Sequence, residues 1–357
     1  MAFPISVRNW RKPDVAEGYH VPPAAGNAIV GLPNIHLDIR GATVDEIERI
    51  ERRLKLHDVR VLMSVVQAGS MHKAAEHLGT SQPAVSRAIA DLEHALGVRL
   101  LDRSPSGIEP TQYGHAIIKR GLAVFDELRQ GVKDVEFLTD PTSGELRIGC
   151  SEQSAAGPVL AVIDRLTRRY PRIVFDVVTG PVPTVCRYLT ERRVELVIQR
   201  AVVESVDQDN MVVENLFDDD IVIVAAKQNP WTRRRQIELA ELAKEPWTLP
   251  PPDTGIGAFA MEAFRARGLK PPRTTVITYS MHMRNKLLAT GRFLTMWSRH
   301  ILLFPGKHPS LKALPVELHN ARGMVAIITL KNRTLSPLAE LFIKTIRAVA
   351  KPLAKAR

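Results

Sequence analysis

From Leu56 onward, apolar positions repeat at helical spacing. Leu56, Val59, Leu62, Val65 and Val66 share one stripe, and Gly69 follows where it stops. Ser70 then caps a second helix that turns Ala74, Ala75 and Leu78 inward and ends at Gly79. Thr80 or Ser81 caps a third, with Pro83 in its first turn, where a missing N–H is harmless. Val85, Ile89, Leu92 and Leu96 form its apolar face, and Gly97 closes it. Segments 98–103 and 108–111 flank Ser104-Pro105-Ser106-Gly107, which predicts a short two-stranded wing around a turn.

Residues 112–138 continue as one long helix. Ile118, Leu122, Phe125, Leu128, Val132 and Val135 step by three or four, a seam suited to a partner helix; the alternative is packing against its own chain. At about 1.5 Å per residue the helix spans about 40 Å. Gly121 and Gly131 weaken it by ~1 kcal/mol each. After Gly144 the period changes. Strand-like runs at 146–149, 173–178, 195–199, 221–225, 247–249, 275–278, 293–297 and 324–330 alternate with helical segments near 156–169, 183–193, 237–243, 257–267, 282–290 and 335–350. Such alternation predicts parallel sheets covered by helices, arranged as two small α/β lobes.

The expected architecture is therefore α+β and multidomain. A winged helix-turn-helix spans 54–111, and a linker and dimerisation helix spans 112–140. Two lobes of the periplasmic-binding-protein type span 145–350, the second at about 224–297. Residues 1–53, rich in Pro and Gly, read as a poorly ordered extension; within it, 43–53 alternates charges as a short helix capped by Thr43 with Glu46 in a capping box.

Composition narrows the class. A chain of 357 residues with 45% hydrophobic content is globular, and no apolar run reaches the ~18–20 residues of a membrane span. Arg8, Arg11, Lys12 and Asp14 interrupt any signal pattern, so a cytoplasmic protein is expected. Net charge is +11, but residues 54–112 carry six basic and six acidic side chains, whereas 146–357 carry 32 and 19. The helix-turn-helix is near neutral, so its indication of DNA lies in pattern rather than bulk charge.

That pattern is specific. A major groove about 12 Å wide accepts one helix, and the residues opening it must be short or able to hydrogen-bond. Ser81, Gln82, Pro83, Ala84, Ser86 and Arg87 fit. Gln82 suits adenine bidentately, Arg87 reaches guanine or phosphate, and Pro83 or Ala84 meets a thymine methyl. Ser70, His72 and Lys73 are placed to hold a phosphate, and Arg103 and Ser106 on the wing to touch backbone or minor groove.

The run Ala74-Ala75, Leu78, Ser81-Gln82-Pro83-Ala84-Val85-Ser86, Ile89, Leu92-Glu93, Leu96-Gly97, Leu100, Arg103, Pro110-Thr111 and Gly114 resembles the LysR-type transcriptional regulators. The resemblance extends over about 54–350. Leu101 stands where that family usually has Phe, His72 and Tyr113 are less usual, and the 53-residue extension is atypical. The resemblance implies a winged-helix dimer, often a tetramer, on double-stranded promoter DNA. A small effector between the C-terminal lobes would shift oligomer geometry, DNA bending and access of RNA polymerase.

Ligands in α/β sheets bind beyond the C-terminal ends of strands, often against helix N-termini. Residues at such ends are Cys150, Ser151, Gln153 and Ser154, then Thr179, Gly180 and Thr184, then Arg200, and in the second lobe Thr254, Gly255, Ser280 and Met281. Simple helix capping accounts for each of them singly; their convergence at strand ends favours a pocket. Between Glu262 and Glu317 no acidic residue occurs, while Arg265, Arg267, Lys270, Arg273, Arg284, Lys286, Arg292, Arg299, Lys307 and Lys312 are basic. A solvated basic face accounts for that run, and an anionic effector such as a carboxylate is the expected ligand. Gly255-Ile256-Gly257 is separated from the preceding strand by Pro250-Pro251-Pro252 and lacks the acidic residue after it that a dinucleotide site needs. Cys150 and Cys186 read as inert thiols rather than a redox pair.

Two other functions compete. The lobes alone would suit a periplasmic-type solute-binding protein, which the missing signal pattern and the helix-turn-helix argue against. An enzyme would show a Walker loop, a metal-ligand cluster or a Gly-x-Ser-x-Gly elbow, and none appears, so neither catalytic residues nor a cofactor or metal are expected.

Overall fold

The computed structural model describes residues 52–104, 107–201, 209–304 and 310–355. The N-terminal extension up to residue 51, Ser106 and Lys307 lie outside the described residues, as does the side chain of Arg103.

Helices α1 (Leu56–Ala68), α2 (Met71–Leu78) and α3 (Gln82–Leu96) each end on a glycine in the left-handed region, at Gly69, Gly79 and Gly97. Val59, Leu62, Val65, Ala74, Ala75, Val85, Ile89 and Leu92 close one core between them. Ser81 caps α3, its hydroxyl accepting from the Ala84 amide at 3.4 Å. Ser70 differs from expectation: it sits at the cap position of α2, but its side chain makes no capping bond. Strands β1 (Leu101–Ser104) and β2 (Gly107–Pro110) form the antiparallel wing.

Two residues of the sequence motif prove to be joints. Glu93 Oε1 accepts from the amides of Leu100 at 2.7 Å and Leu101 at 3.3 Å, tying α3 to the wing. Thr111 caps α4 (Gln112–Thr139): its hydroxyl donates to Arg99 O at 2.8 Å and accepts from Gly114 N at 3.1 Å. Gly114 lies so close to the wing that a Cβ there would stand 2.1 Å from Leu100 O. Gly114→Ala is expected to lower the stability of the winged-helix unit by about 1–3 kcal/mol through overpacking against backbone. Urea unfolding followed by far-UV dichroism measures it; an unchanged midpoint would show that the joint yields freely.

The seam expected on α4 divides. Phe125 turns into the winged-helix core, with Arg60 stacked 5.0 Å from its ring centroid, and Ile118 packs beside it. Val124, Leu128, Val132, Val135 and Leu138 stay exposed, from 42% at Val124 to 83% at Leu138. The helix thus uses one apolar edge within its own chain and leaves the other uncovered.

The other faces of α4 dock on the first lobe through buried charge. Asp126, with a side chain 2% exposed, accepts from Arg192 Nη1 at 2.7 Å and from Arg333 Nη2 at 3.0 Å. Lys133 pairs with buried Glu195, which also accepts from the Ser336 amide at 3.3 Å. Arg333 donates to Val194 O as well.

The C-terminal region is built on β3 (Ser143–Cys150), β4 (Arg172–Thr179), β5 (Leu196–Ala201), β6 (Met211–Ala226), β7 (Trp247–Leu249), β8 (Thr274–Ile277), β9 (Leu294–Ser298), β10 (Leu311–Ala313) and β11 (Arg322–Leu330). Among the described residues they run β4-β3-β5-β11-β6-β9-β7-β8, with β10 beside β6. Helices α5 (Leu160–Arg169), α6 (Val182–Thr190), α7 (Gly255–Arg265), α8 (Met281–Ala289) and α9 (Pro337–Lys355) cover the faces. The expectation of purely parallel sheets is corrected. β3 is parallel to β4 and β5, and β7 to β8 and β9, but β11 runs antiparallel to β5 and β6, and β6 antiparallel to β9 and β10.

The cause is β6, a strand of 16 residues rather than the short run expected at 221–225. Its first part pairs with β11 from Met211 to Asp220, and its second part pairs with β9 from Ile221 to Ala225. Asp218, Asp219 and Asp220 hide this continuity in the sequence, yet they mark the crossing between lobes. There Asp219 is buried and accepts from the His300 amide at 2.9 Å, with His300 Nδ1 at 3.0 Å. The second lobe therefore runs from 221 to 321, wider than the expected 224–297, with its cores on Ile221, Trp247 and Phe264 and on Val222 and Trp297. The first lobe packs Leu146, Ile148, Leu196, Val325 and Phe342.

Candidate nucleic-acid interface and inter-lobe cleft

At the start of α3 the side chains of Ser81, Gln82, Pro83, Ala84 and Arg87 are exposed on one end of the helix, and Ser86 is half-buried beside them. Val85, Ala88 and Ile89, on the opposite face, are buried. Residues that contribute nothing to the core are thus grouped on the exposed end of α3. Lys73 is exposed on α2, Ser70 is half-buried, and His72 Nε2 lies 3.4 Å from Glu76 Oε1, one turn on.

Between the lobes lies a cavity of about 80 Å³, lined by Ser151, Glu152, Gln153, Gly180, Gln199, Arg200, Thr254, Gly255, Tyr279, Arg284 and Ser298, with Pro181, Val182, Pro250 and Ile256 as its apolar share. Ser151, Gln153, Gly180, Arg200, Thr254 and Gly255 are brought together here as expected from strand ends. Ser154, Thr179, Thr184, Ser280 and Met281 are not on its lining. Several expected hydroxyls are already engaged. Ser151 Oγ accepts from Ser154 N at 3.1 Å, Thr254 Oγ1 from Gly257 N at 3.2 Å, and Ser280 Oγ from Met283 N at 3.2 Å. Capping accounts for these three hydroxyls, of which Ser151 and Thr254 line the cavity wall. A larger hollow of about 340 Å³ lies where the chain crosses between the lobes, around Asp220, Arg299, Leu314, Val316 and Arg322, and none of the expected site residues lines it.

Glu152, Gln199, Tyr279, Arg284 and Ser298 were not singled out as site residues in the sequence. Arg284 is the most informative of them. It belongs to the basic run expected to be a solvated face, but it is 2% exposed, and its Nε and Nη1 have no hydrogen-bond partner among the described residues. Burial pulls its basicity down, opposed by the charge of Glu152. Arg200 donates from Nη2 to Ala321 O at 2.9 Å, while its Nε is also without a partner. Its guanidinium lies on bare Gly323, where a Cβ would sit 2.3 Å from Nη2. Gln199 Oε1 and Ser298 Oγ are likewise buried and unpaired. A signal existed for Arg284: it follows the Ser280 cap by four residues, on the same side of the helix as the cleft.

Glu152 and Gln153 reach across the cleft to the second lobe. Met281 N donates to Glu152 Oε2 at 2.5 Å, and Ser298 N donates to Gln153 Oε1 at 3.1 Å. Burial, reinforced by the Glu152 charge, pushes the Tyr279 hydroxyl up to about 12, so it stays protonated. Cys150 is fully buried and its thiol is pushed up to about 12 by burial; Cys186 is buried and raised for the same reason. Both are free thiols, and neither is activated as a nucleophile.

Residues 139–351 match the family model described as the LysR substrate binding domain, and residues 56–115 match that of the bacterial regulatory helix-turn-helix protein, lysR family. The chain is 26% identical over 302 residues to the HTH-type transcriptional regulator GbpR of Azospirillum brasilense, covering 84% of this chain and 88% of that protein. It is 30% identical over 196 residues to the uncharacterized HTH-type transcriptional regulator YeiE of Escherichia coli (strain K12), covering 55% and 64%. Among solved structures, it is similar in fold to full-length CbnR complexed with its target DNA, with a TM-score of 0.55 and 17% identity over 83% of this chain and 99% of that one. A full-length OxyR variant from Pseudomonas aeruginosa is similar as well, with a TM-score of 0.58 and 18% identity over 84% and 95%.

Proposed function

The chain belongs to the LysR family of bacterial helix-turn-helix transcriptional regulators, and on that premise we propose how its own residues divide the work of regulation. The protein is a DNA-binding transcriptional regulator with an effector-binding domain. The exposed start of α3 enters the major groove of promoter DNA. Gln82 and Arg87 read base edges there, Ser81, Pro83, Ala84 and Ser86 fit against them, and Ser70, His72 and Lys73 hold phosphate. Arg103 and Ser106 on the wing complete the contact. The uncovered edge of α4, from Val124 to Leu138, pairs with a second copy and so presents two reading heads to two half-sites. The assembly is a homo-oligomer acting in the cytoplasm. The relatives are regulators, and this reading assigns no catalytic step and no metal.

The effector is a small anion held between the lobes. The observation that carries this is Arg284, a buried guanidinium with two unpaired N–H groups at the cleft, facing a wall that also holds Arg200. A desolvated charge without partners costs stability, and such groups are retained where a ligand completes them. Ser151, Gln153, Gly180, Thr254 and Gly255 shape the walls around that ligand; Thr179, Thr184, Ser154, Ser280 and Met281 act behind it.

Binding to DNA tests the first half. Footprinting across the source genome supplies the operator. On that fragment Gln82→Ala is expected to weaken binding by about 1–3 kcal/mol and to relax base preference, while Lys73→Ala weakens specific and random DNA alike and lowers the salt slope by about one. Equal losses on specific and random DNA for Gln82→Ala would remove its assigned role.

A further inference from the structure

We propose that the N-terminus of α8 together with Arg284 is an oxyanion subsite, and that it is filled by the chain's own Glu152 carboxylate, which an effector anion displaces. The proposal rests on the cleft being the effector site.

The geometry is that of a ligand contact made in cis. Glu152 belongs to the first lobe, and Met281, the first residue of α8, to the second; the two are 129 residues apart, yet Met281 N donates to Glu152 Oε2. A helix N-terminus presents unpaired amides and the positive end of its dipole, which is where a carboxylate binds. Ser280 caps α8 by taking the Met283 amide with its own hydroxyl. The Met281 amide is thus left for a group from outside the helix. Arg284 stands one turn further in and lines the same cavity as Glu152.

Glu152 fills this subsite incompletely. It satisfies the Met281 amide, but Nε and Nη1 of Arg284 stay without partners. An untethered carboxylate or phosphate can accept from the helix amide and the guanidinium together, so it can satisfy more of the site than Glu152 does. Space points the same way. A cavity of about 80 Å³ is well below the ~300–1,000 Å³ of ordinary small-molecule sites. Withdrawal of the Glu152 side chain would vacate the volume beside Arg284. Gln153, the next residue, makes the other cross-lobe bond, to Ser298 N. The pair Glu152-Gln153 therefore straps the two lobes together across the cleft, and an anion competes with its charged half.

The test uses the full chain, with acetate and inorganic phosphate as probes titrated calorimetrically into the wild type, Glu152→Gln, Glu152→Ala and Arg284→Met. Glu152→Gln keeps the shape and an acceptor oxygen but removes the competing charge. It is expected to bind at least one probe tenfold or more tighter than the wild type, with that binding lost when Arg284→Met is added. Glu152→Ala is expected to open the lobes without ligand, seen as a larger radius of gyration by small-angle scattering. Arg284-dependent binding that is unchanged or weaker in Glu152→Gln would leave the cleft as the effector site and overturn the stand-in role of Glu152. If neither probe shows Arg284-dependent binding in any variant, the subsite and the anionic reading of the cleft both fall.

Discussion

Asp126→Ala is expected to cost about 3–5 kcal/mol, because it takes the carboxylate partner from buried Arg333 and half-buried Arg192 in one step. Arg192 and Arg333 reach Asp126 from the first lobe at 2.7 and 3.0 Å, and the Asp126 side chain is 2% exposed. Screening by water, which reduces surface pairs to a fraction of that figure, does not operate at such burial. The chain holds several cores, so the loss is local before it is global. Hydrogen exchange along the middle of α4 should speed up before that of α3, whose packing does not involve Asp126. Asp126→Asn, which keeps one acceptor for the arginines, should recover part of the loss. If Asp126→Ala changed exchange and the urea midpoint by less than about 1 kcal/mol, the junction would behave as a surface contact. The consequence reaches function. Lys133 and Glu195 anchor the same face of α4, and Glu195 immediately precedes β5, whose far end carries Gln199 and Arg200 into the cleft. With α4 loosened, the winged helix would still bind DNA, but it would follow movements of the lobes poorly.

Arg284→Met should separate folding from response. Each hydrogen bond to a charged group contributes about 1.5–3 kcal/mol, so removing both free donors of Arg284 is expected to weaken an anionic effector by about 100-fold or more. Stability should move the other way. The guanidinium is buried and incompletely paired, and replacing such a charge with an apolar side chain of similar length is often neutral or stabilising. The expected result is an equal or higher Tm, unchanged binding to the operator fragment without effector, and loss of effector-dependent change in that binding. Anions that raise the wild-type Tm in a screen of carboxylates and phosphates supply the effector for this assay. A variant that keeps the full response would move the site elsewhere, and one that unfolds would make Arg284 structural.

The helix-turn-helix was readable almost residue by residue because its determinants are local. Gly69, Gly79 and Gly97 stop helices at the residue where the chain turns left-handed, and Ser81 caps from three residues away. The seam on α4 was read only in part. Spacing alone does not tell which apolar edge meets its own domain, and Phe125 chose the winged-helix core. The cleft was half read. Strand ends pointed to Ser151, Gln153, Gly180, Arg200, Thr254 and Gly255, all on its wall, but several hydroxyls chosen for chemistry were spent on caps. Arg284 looked like one more charge in a basic run, and three aspartates made β6 look like a break instead of a crossing.

The sequence by itself determined the reading head, the long helix behind it and the alternation of strands and helices, since these follow from periods and caps within a few residues. Tertiary structure decided what those elements are for. The bonds that close the cleft and dock the linker join residues 62 to 207 positions apart. Whether an arginine there is solvated or buried, and whether a glutamate is a surface charge or an occupant of its own binding site, depends on which surfaces the fold brings within reach and dries.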